Sequence, residues 1–335
     1  MLKDKRLDEP IDLLSYEKQL WTNGVKTIAG IDEAGRGPLA GPVVAAAVIL
    51  DQREIPEGVN DSKKLTAKNR DILFDLIKEK SVDYSTGIVW QDEIDKSDIL
   101  RSTHLAMRKA IGSLKEKPEH LLIDGRRFPD KIFKQTAIIS GDSLSASIAS
   151  ASIIAKVTRD RIMLQISKIY PEYEFEKHKG YGTSLHINRI NQFGPSPAHR
   201  HTFKRVKGIK PKVNLNDPKQ LGKYGEKIAC LELIKEGYEI LEQNYWAGGR
   251  EYELDIVVKK DNAVVFVEVK SKYHEGFGEP EQWVGEKKQA QISKAAQSYL
   301  MEKNPDGEEY RFDVIAIKFL NDNYRIKHII DAFRS

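Results

Sequence analysis

Cysteine is almost absent from this sequence: Cys230 is the single cysteine among 335 residues. One cysteine cannot form an intramolecular disulfide, which excludes the disulfide-stabilised class of secreted domains. Long apolar runs are absent as well. The longest, residues 39–50, contains Gly41 and Pro42 and is shorter than the about 20 residues that cross a bilayer.

The first six residues, MLKDKR, contain no apolar core of the kind that a signal peptide needs. With the single cysteine, this predicts a cytoplasmic protein without a membrane partner, and we expect a monomer. The formal net charge is only +4, so the overall balance does not indicate a polyanionic partner. The basic residues are unevenly placed, however, and local clusters matter more than their sum.

The length suits two domains. Residues 208–220 are polar, contain two prolines, and show no apolar periodicity, as expected of a linker. We therefore predict a first domain over residues 1–208, a linker over 209–218 and a smaller second domain over 219–335. In the first part apolar strand-like runs alternate with amphipathic helical segments, which predicts an α/β domain. The second part shows the pattern of a helix, three strands, a second helix and two further strands.

Two adjacent acids, Asp32 and Glu33, separate two apolar runs within residues 27–50 and precede the turn Gly35-Arg36-Gly37. Charges at the end of a buried strand are costly to desolvate unless they are paired, and a divalent cation suits two neighbouring acids. Glycine on both sides of the arginine lets the backbone approach a ligand closely. The alternative is a strand that ends in a tight turn with solvated acids.

Two further acids, Asp124 and Asp142, also stand at predicted strand ends. In α/β sheets functional groups gather at the carboxyl ends of strands, where four carboxylates repel one another unless cations lie between them. Two Mg²⁺ or Mn²⁺ ions about 3.5–4 Å apart form a site that hydrolyses phosphodiesters. We therefore predict a two-ion catalytic and metal site formed by Asp32, Glu33, Asp124 and Asp142.

Six short motifs occur in order over residues 12–206: GIDEAGRG (30–37), DSKKL (61–65), IDG (123–125), GDS (141–143), AKVTRD (155–160) and HKGYGT (178–183). In these motifs the chain resembles the ribonuclease HII family. The resemblance implies an RNase H-like fold, a mixed sheet with flanking helices. It also implies an endonuclease that hydrolyses the RNA strand of RNA–DNA hybrids and cuts 5′ of single ribonucleotides in duplex DNA, leaving 5′-phosphate and 3′-hydroxyl ends.

The same resemblance assigns roles to individual positions. The four acids match the metal-binding acids of the family; Gly35, Arg36 and Gly37 match the turn that contacts the 2′-hydroxyl at an RNA–DNA junction. Tyr181 matches a tyrosine that packs on the sugar beyond the junction. The chemistry agrees, because the 2′-hydroxyl is the local group that distinguishes RNA from DNA. The alternative for Tyr181 is an ordinary core or loop tyrosine.

Basic side chains near these motifs are candidates for phosphate contacts. The alternative for each is a solvated surface charge. We predict substrate binding by Lys64, Lys156 and Lys179, with Lys63, Lys177, His199 and Arg200 as further candidates.

A second acidic pattern lies in the second domain. Asp255 stands in one predicted strand, and Glu268-Val269-Lys270 ends the next. Glu268 and Lys270 point to the same face of a strand, so two acids could bind a metal while the lysine stabilises the phosphate. This pattern is typical of restriction-endonuclease-like sites. The alternative is the ordinary alternation of a strand.

The second domain resembles the YraN family over about residues 219–333, in the motifs GKYGEKIA (222–229), GYEIL (237–241), ELD (253–255), FVEVK (266–270) and RFDV (311–314). The resemblance implies a restriction-endonuclease-like α/β domain, in which Glu226 could add a fourth residue to Asp255, Glu268 and Lys270. This domain is either a second nuclease or a module that only tethers the substrate. A further alternative makes the whole chain a nucleic-acid-binding protein without catalysis.

Overall fold

The computed structural model describes residues 12–60, 62, 65–127, 129, 132–249, 251–273, 284–303, 309–320 and 323–334. The chain forms two compact units. The first contains residues 1–163, 179–182 and 199–207; the second contains residues 164–178, 183–198 and 208–335. This division does not follow the predicted boundary at residue 208, and the domain limits drawn from the sequence stay a prediction.

The first unit contains a mixed five-stranded sheet with the strand order β3-β2-β1-β4-β5. Strand β1 pairs antiparallel with β2 and parallel with β4, while β2–β3 is antiparallel and β4–β5 is parallel. The predicted α/β class with a mixed sheet is therefore confirmed. The strands are β1 (Ile28–Ala34), β2 (Val43–Leu50), β3 (Ser81–Val89), β4 (His120–Asp124) and β5 (Lys134–Ile138).

Both faces of this sheet are covered, because every residue of β2 is buried. One face packs against α4, and the other packs against α2 and α5. Helix α5 lies very close to β1, since a Cβ added at Gly30 would clash with the backbone of Ser147. The helices are α1 (Ser15–Thr22), α2 (Ala67–Lys80), α3 (Gln91–Lys96), α4 (Ile99–Gly112) and α5 (Ala146–Ile169).

The second unit contains another mixed five-stranded sheet, in the order β10-β9-β8-β7-β6, in which only β8–β9 is parallel. Helix α9 packs on the face that carries Phe266 and Phe312. The remaining elements are α6 (Phe175–His178), α7 (Ser184–Phe193), α8 (Pro218–Lys235), β6 (Glu239–Ala247), β7 (Tyr252–Lys260), β8 (Ala263–Tyr273), α9 (Glu286–Lys303), β9 (Glu309–Leu320) and β10 (Asn323–Phe333).

Helix α8 begins within the segment that the sequence predicts to be a linker. Pro218, assigned above to the linker, is the first helical residue. The carboxylate of Asp217 accepts hydrogen bonds from the backbone N–H groups of Lys219 and Gln220, which caps the helix. Proline is favoured at the first position of a helix because its missing N–H is not needed there.

No helix within the described part of the chain is long and apolar enough to cross a membrane.

A buried ionic network joins β9 and β10. Asp313 is fully buried and accepts hydrogen bonds from Arg311 Nε at 2.9 Å and from His328 Nε2 at 2.9 Å. The other ring nitrogen of His328, Nδ1, lies 2.8 Å from Glu236 Oε2. Burial lowers the pKa of His328, but the hydrogen bonds to Asp313 and Glu236 outweigh it and raise the pKa above its usual value.

Because the folded-state pKa of His328 is raised, its stabilisation is complete below the unfolded value of about 6.5 and is lost as pH rises through the folded value. We expect the free energy of unfolding of the second unit to decrease as the pH rises through the folded-state pKa of His328. His328→Gln should remove most of this pH dependence. Hydrogen exchange of the β9 and β10 amides in the full chain measures it. The control is the exposed His201→Gln; equal pH slopes in both variants would contradict the network.

Candidate active site

Asp32 and Asp124 lie on neighbouring parallel strands. The β1–β4 register pairs Ile31 with Ile123, so the next residue on each strand points to the opposite face of the sheet from that pair. This is the face covered by α5, and Ser152 of α5 donates a hydrogen bond to the Asp32 carboxylate. Asp32 is only 5% exposed. Strand register and a helix hydroxyl together therefore position a buried acid.

The electrostatics of Asp32 favour a bound proton or cation. Burial raises the pKa of Asp32 well above its usual value, and the nearby charges of Glu33 and Asp124 raise it further. Hydrogen bonds from Ser152 and from the Glu33 N–H, which lies 2.7 Å from Asp32 Oδ1, act in the opposite direction. Three of the four predicted acids are thus within electrostatic reach of one another.

The fourth acid, Asp142, lies in a short 3₁₀ helix, Gly141–Ser143, and is buried. The preceding residue is tied to the site, because Gly141 N–H donates to Asp124 Oδ1 at 2.7 Å. Asp142 therefore follows directly after a residue that is hydrogen-bonded to Asp124. Among the residues that the structure describes, no three acid, histidine or cysteine side chains lie close enough together to bind a metal ion. The role of the four acids as metal ligands stays a prediction.

The Gly35-Arg36-Gly37 turn follows β1 directly. Gly35 is buried with φ +100°, whereas Arg36 and Gly37 are exposed. Arg36 Nη1 lies 3.2 Å from Glu33 Oε1, so its guanidinium stands beside the acids. Only 12% of the Glu33 side chain is exposed, whereas 53% of the Arg36 side chain is exposed and accessible to solvent.

Tyr181 lies beside this turn. The residue that precedes it, Gly180, accepts a hydrogen bond from Leu39 N–H at 2.7 Å, and a Cβ placed on Gly37 would lie 4.0 Å from Tyr181 Cε1. The ring is 42% exposed, which excludes a core tyrosine. Lys156 Nζ is 5.8 Å from the ring centroid. The structure thus brings together the turn, the tyrosine and one predicted phosphate contact.

The other basic residues that were predicted to contact phosphates differ in their burial and in their partners. Lys179 is half-buried with φ +49°, and Lys177 forms an ion pair with Glu174. The prediction was wrong for His199 and Arg200, which are fully buried and cannot contact a phosphate at the surface. Lys63 and Lys64 lie outside the described residues.

In the second unit, Asp255 and Glu268 lie on adjacent antiparallel strands, each next to a member of the terminal β7–β8 pair, Ile256 with Val267. Glu268 is 2% exposed. Its Oε1 accepts from Lys270 Nζ at 2.7 Å, and the same oxygen forms an ion pair of 3.1 Å with Lys288. Glu268 Oε2 is buried and accepts no hydrogen bond from any residue that the structure describes.

Burial and the charge of Glu268 raise the pKa of Asp255, and burial and the charge of Glu253 raise the pKa of Glu226. The four predicted residues of the second pattern therefore interact electrostatically. Sequence reasoning missed Lys288 and Glu253. Lys288 lies on α9, 20 positions after Glu268, and no spacing rule links the two.

Two family models match this chain. Residues 29–206 match the family model described as Ribonuclease HII, and residues 225–317 match Uncharacterised protein family UPF0102. Ribonuclease HII of Acetivibrio thermocellus is 52% identical over 200 residues, which are 60% of this chain and 78% of that protein. Ribonuclease HII of Caldicellulosiruptor bescii is 51% identical over 198 residues, 59% of this chain and 96% of that protein.

Solved structures with partial similarity include the ribonuclease H2 from Pyrococcus horikoshii OT3, 29% identical with a TM-score of 0.48, covering 54% of this chain and 95% of that chain. Bst-RNase HIII in complex with Mn²⁺ is 19% identical with a TM-score of 0.47, covering 61% and 74%.

The matched family model and the matched relatives define the class of protein as a nuclease. The chain belongs to the ribonuclease HII family. It is therefore an enzyme, a type 2 ribonuclease H and a hydrolase, and the predicted RNase H-like α/β fold is confirmed. The match to UPF0102, the YraN family, confirms the second resemblance. The restriction-endonuclease-like description of that part stays a prediction.

The two glycines of the turn make a matched pair of variants. A Cβ at Gly35 would clash with the side chain of Arg159 and lie 2.7 Å from Pro42 O, whereas a Cβ at Gly37 would meet only the Tyr181 ring. We expect Gly35→Ala to lower the free energy of unfolding by about 2 to 5 kcal/mol. An alanine is strained at a positive φ, and its Cβ would also overpack this buried position. Gly37→Ala should leave the free energy of unfolding nearly unchanged. Denaturant unfolding measures both, and equal effects would contradict the geometry.

Proposed function

We propose that this enzyme hydrolyses the RNA strand of RNA–DNA hybrids and cuts on the 5′ side of single ribonucleotides in duplex DNA. The products carry 5′-phosphate and 3′-hydroxyl ends. The observation that carries the proposal is the buried Asp32 beside Glu33 and Asp124, at a sheet edge that continues directly into the exposed Arg36 and Gly37.

The chemistry of these acids suits a divalent cation. Carboxylate oxygens are the donors that Mg²⁺ and Mn²⁺ prefer, and a buried carboxylate beside two others gains most from a nearby cation. Asp32, Glu33, Asp124 and Asp142 would bind two such ions. When bound, these ions supply an activated water and stabilise the leaving oxygen.

The remaining residues select and orient the substrate. The backbone of the Gly35-Arg36-Gly37 turn approaches the 2′-hydroxyl, the feature that distinguishes RNA from DNA. The exposed ring of Tyr181 packs on the deoxyribose beyond the junction and leaves no room there for a second 2′-hydroxyl. Lys64, Lys156 and Lys179 contact phosphates and fix the register of the duplex.

We assign this activity to a domain over residues 1–208, in a monomer that removes ribonucleotides from DNA in the cytoplasm. A linker over residues 209–218 would connect it to the domain over 219–335. The alternative, a nucleic-acid-binding protein without catalysis, is disfavoured because acids without a cation repel phosphate.

Replacement of one acid tests the catalytic proposal. We expect Asp124→Asn to lower the rate of cleavage of a duplex with one ribonucleotide by at least about 100-fold, since even outer-shell partners of a metal contribute 10- to 100-fold. Binding of the duplex should persist. The control is Asp71→Asn, an exposed acid on α2. Turnover retained in Asp124→Asn would refute the role of the acids.

A second candidate function concerns the second unit. The buried Oε2 of Glu268 has no partner among the described residues, and Asp255 beside it has a raised pKa because of burial and the Glu268 charge. This arrangement favours one divalent cation between Asp255 and Glu268, with Glu226 as a further acid. Lys270 and Lys288 would then exchange their contact with Glu268 for a phosphate. We infer that this unit is a second nuclease or, without catalysis, a module that binds DNA.

Lys270→Ala separates these two roles. Cleavage of branched DNA is measured in the Asp124→Asn background with Mg²⁺ or Mn²⁺. If the second unit is a nuclease, Lys270→Ala abolishes this metal-dependent cleavage. The control is Lys272→Ala, two positions along β8. A tethering module shows no cleavage to lose. Deletion of residues 209–335 then weakens substrate binding in a salt-dependent way.

A further inference from the structure

Two fully buried arginines surround the segment of residues 35–42, which contains the glycine–arginine turn. Arg200 donates from Nε to Gly41 O at 3.0 Å and from Nη2 to Gly35 O at 2.6 Å. Its Nη1 donates to two further carbonyls, Arg36 O at 3.0 Å and Pro38 O at 2.9 Å. One guanidinium thus binds four carbonyl oxygens of one short segment.

Arg159 of α5 completes the arrangement. Its Nε donates to Pro42 O at 3.0 Å and its Nη2 to Ala40 O at 3.1 Å. Its Nη1 donates to Lys179 O at 3.1 Å, on the segment that carries Tyr181. The guanidinium carbon lies 5.8 Å from the Tyr181 ring centroid. Arg159 therefore connects the 35–42 segment to the tyrosine.

Nearly all the carbonyls of the segment are bound in this way. Arg200 N–H also donates to Leu39 O at 2.8 Å, so carbonyls 35, 36, 38, 39, 40, 41 and 42 all accept hydrogen bonds from the two arginines. Carbonyl oxygens carry partial negative charge and would repel a nucleic-acid backbone. Bonds to buried cations keep these oxygens away from an anionic substrate.

A buried guanidinium without solvent is costly unless its donors are satisfied, because burial disfavours the charged form. Here burial lowers the pKa of Arg200 to about 9 and that of Arg159 to about 10. The carbonyls of the segment replace the lost water as acceptors. The shape of the segment and the burial of the arginines therefore depend on each other.

We propose that Arg200 and Arg159 are positioning residues that fix the backbone of residues 35–42 and its distance from Tyr181, and thereby set the selectivity for a ribonucleotide junction. The inference rests on the proposed function, because it concerns the same substrate. A single ribonucleotide requires the turn and the tyrosine to meet the two sides of one junction. A long hybrid offers many registers and tolerates a displaced turn better.

The test uses Arg200→Lys and Arg159→Lys in the full chain, because an ammonium is a point charge that cannot bind spread carbonyls as the planar guanidinium does. The kcat and KM are measured on a duplex with one ribonucleotide and on a long hybrid. We expect Arg200→Lys to lower kcat/KM on the single ribonucleotide by about 10- to 100-fold, since a misplacement of about 1 Å costs about 100-fold. The loss on the hybrid should be several-fold smaller.

Arg161→Lys is the matched control, because Arg161 lies on α5 two positions from Arg159 and is exposed. It should leave both substrates unaffected. Equal losses on the two substrates in Arg200→Lys, or no loss, would overturn the positioning role. Failure of the unaltered enzyme to cut either substrate would instead refute the proposed function.

A measurement on the unaltered protein covers the case in which both variants fail to fold. The Nε–H protons of Arg159 and Arg200 donate to carbonyls in the interior, so they should exchange slowly with water, as measured by NMR. The Nε–H protons of exposed arginines such as Arg161 should exchange fast. Slow exchange of the Arg159 and Arg200 resonances supports the proposal, and fast exchange of both contradicts it.

Discussion

Burial of the Asp32 carboxylate at the end of β1 is the constraint on which the first unit depends. The strand is covered on one face by α5, so Asp32, near its end, is separated from water. Burial and the charges of Glu33 and Asp124 raise the pKa of Asp32. A fold gains nothing in stability from such an acid. A divalent cation bound there, as proposed above, would offset the charge of these acids and support the proposed reaction.

The first unit also contains two buried positive charges, those of Arg159 and Arg200. The guanidinium groups of Arg159 and Arg200 donate their hydrogen bonds to backbone carbonyls rather than to carboxylates. The same carbonyls belong to the segment that joins β1 to β2, and Asp32 lies on β1. Asp32 and Glu33 are therefore connected to the turn at residues 35–37, the proposed substrate contact, through only a few residues of backbone, which limits changes in their separation.

The sequence predicts much of this structure, because the motifs lie within local segments. The alternation of strands and helices gives the α/β class, and a tight turn after a strand places Gly35 correctly. The burial of Arg200 depends on contacts between residues more than 150 positions apart, which the sequence does not reveal. The basic residues around Arg200 therefore suggested a phosphate contact at the surface. Lys288 was missed for the same reason, since only the packing of α9 brings it to Glu268. Whether the acids bind metal also depends on side-chain positions that no spacing specifies.

The central claim is that the acids at this sheet edge and the adjacent turn form one centre that recognises a ribonucleotide and cuts beside it. The most direct measurement maps the cleavage position, at nucleotide resolution, in duplex DNA that contains one ribonucleotide, with the full chain and Mg²⁺ or Mn²⁺. We predict a single cut on the 5′ side of the ribonucleotide that leaves a 5′-phosphate. Cuts scattered over the DNA, or a cut at the same position in an all-DNA duplex, would contradict the account.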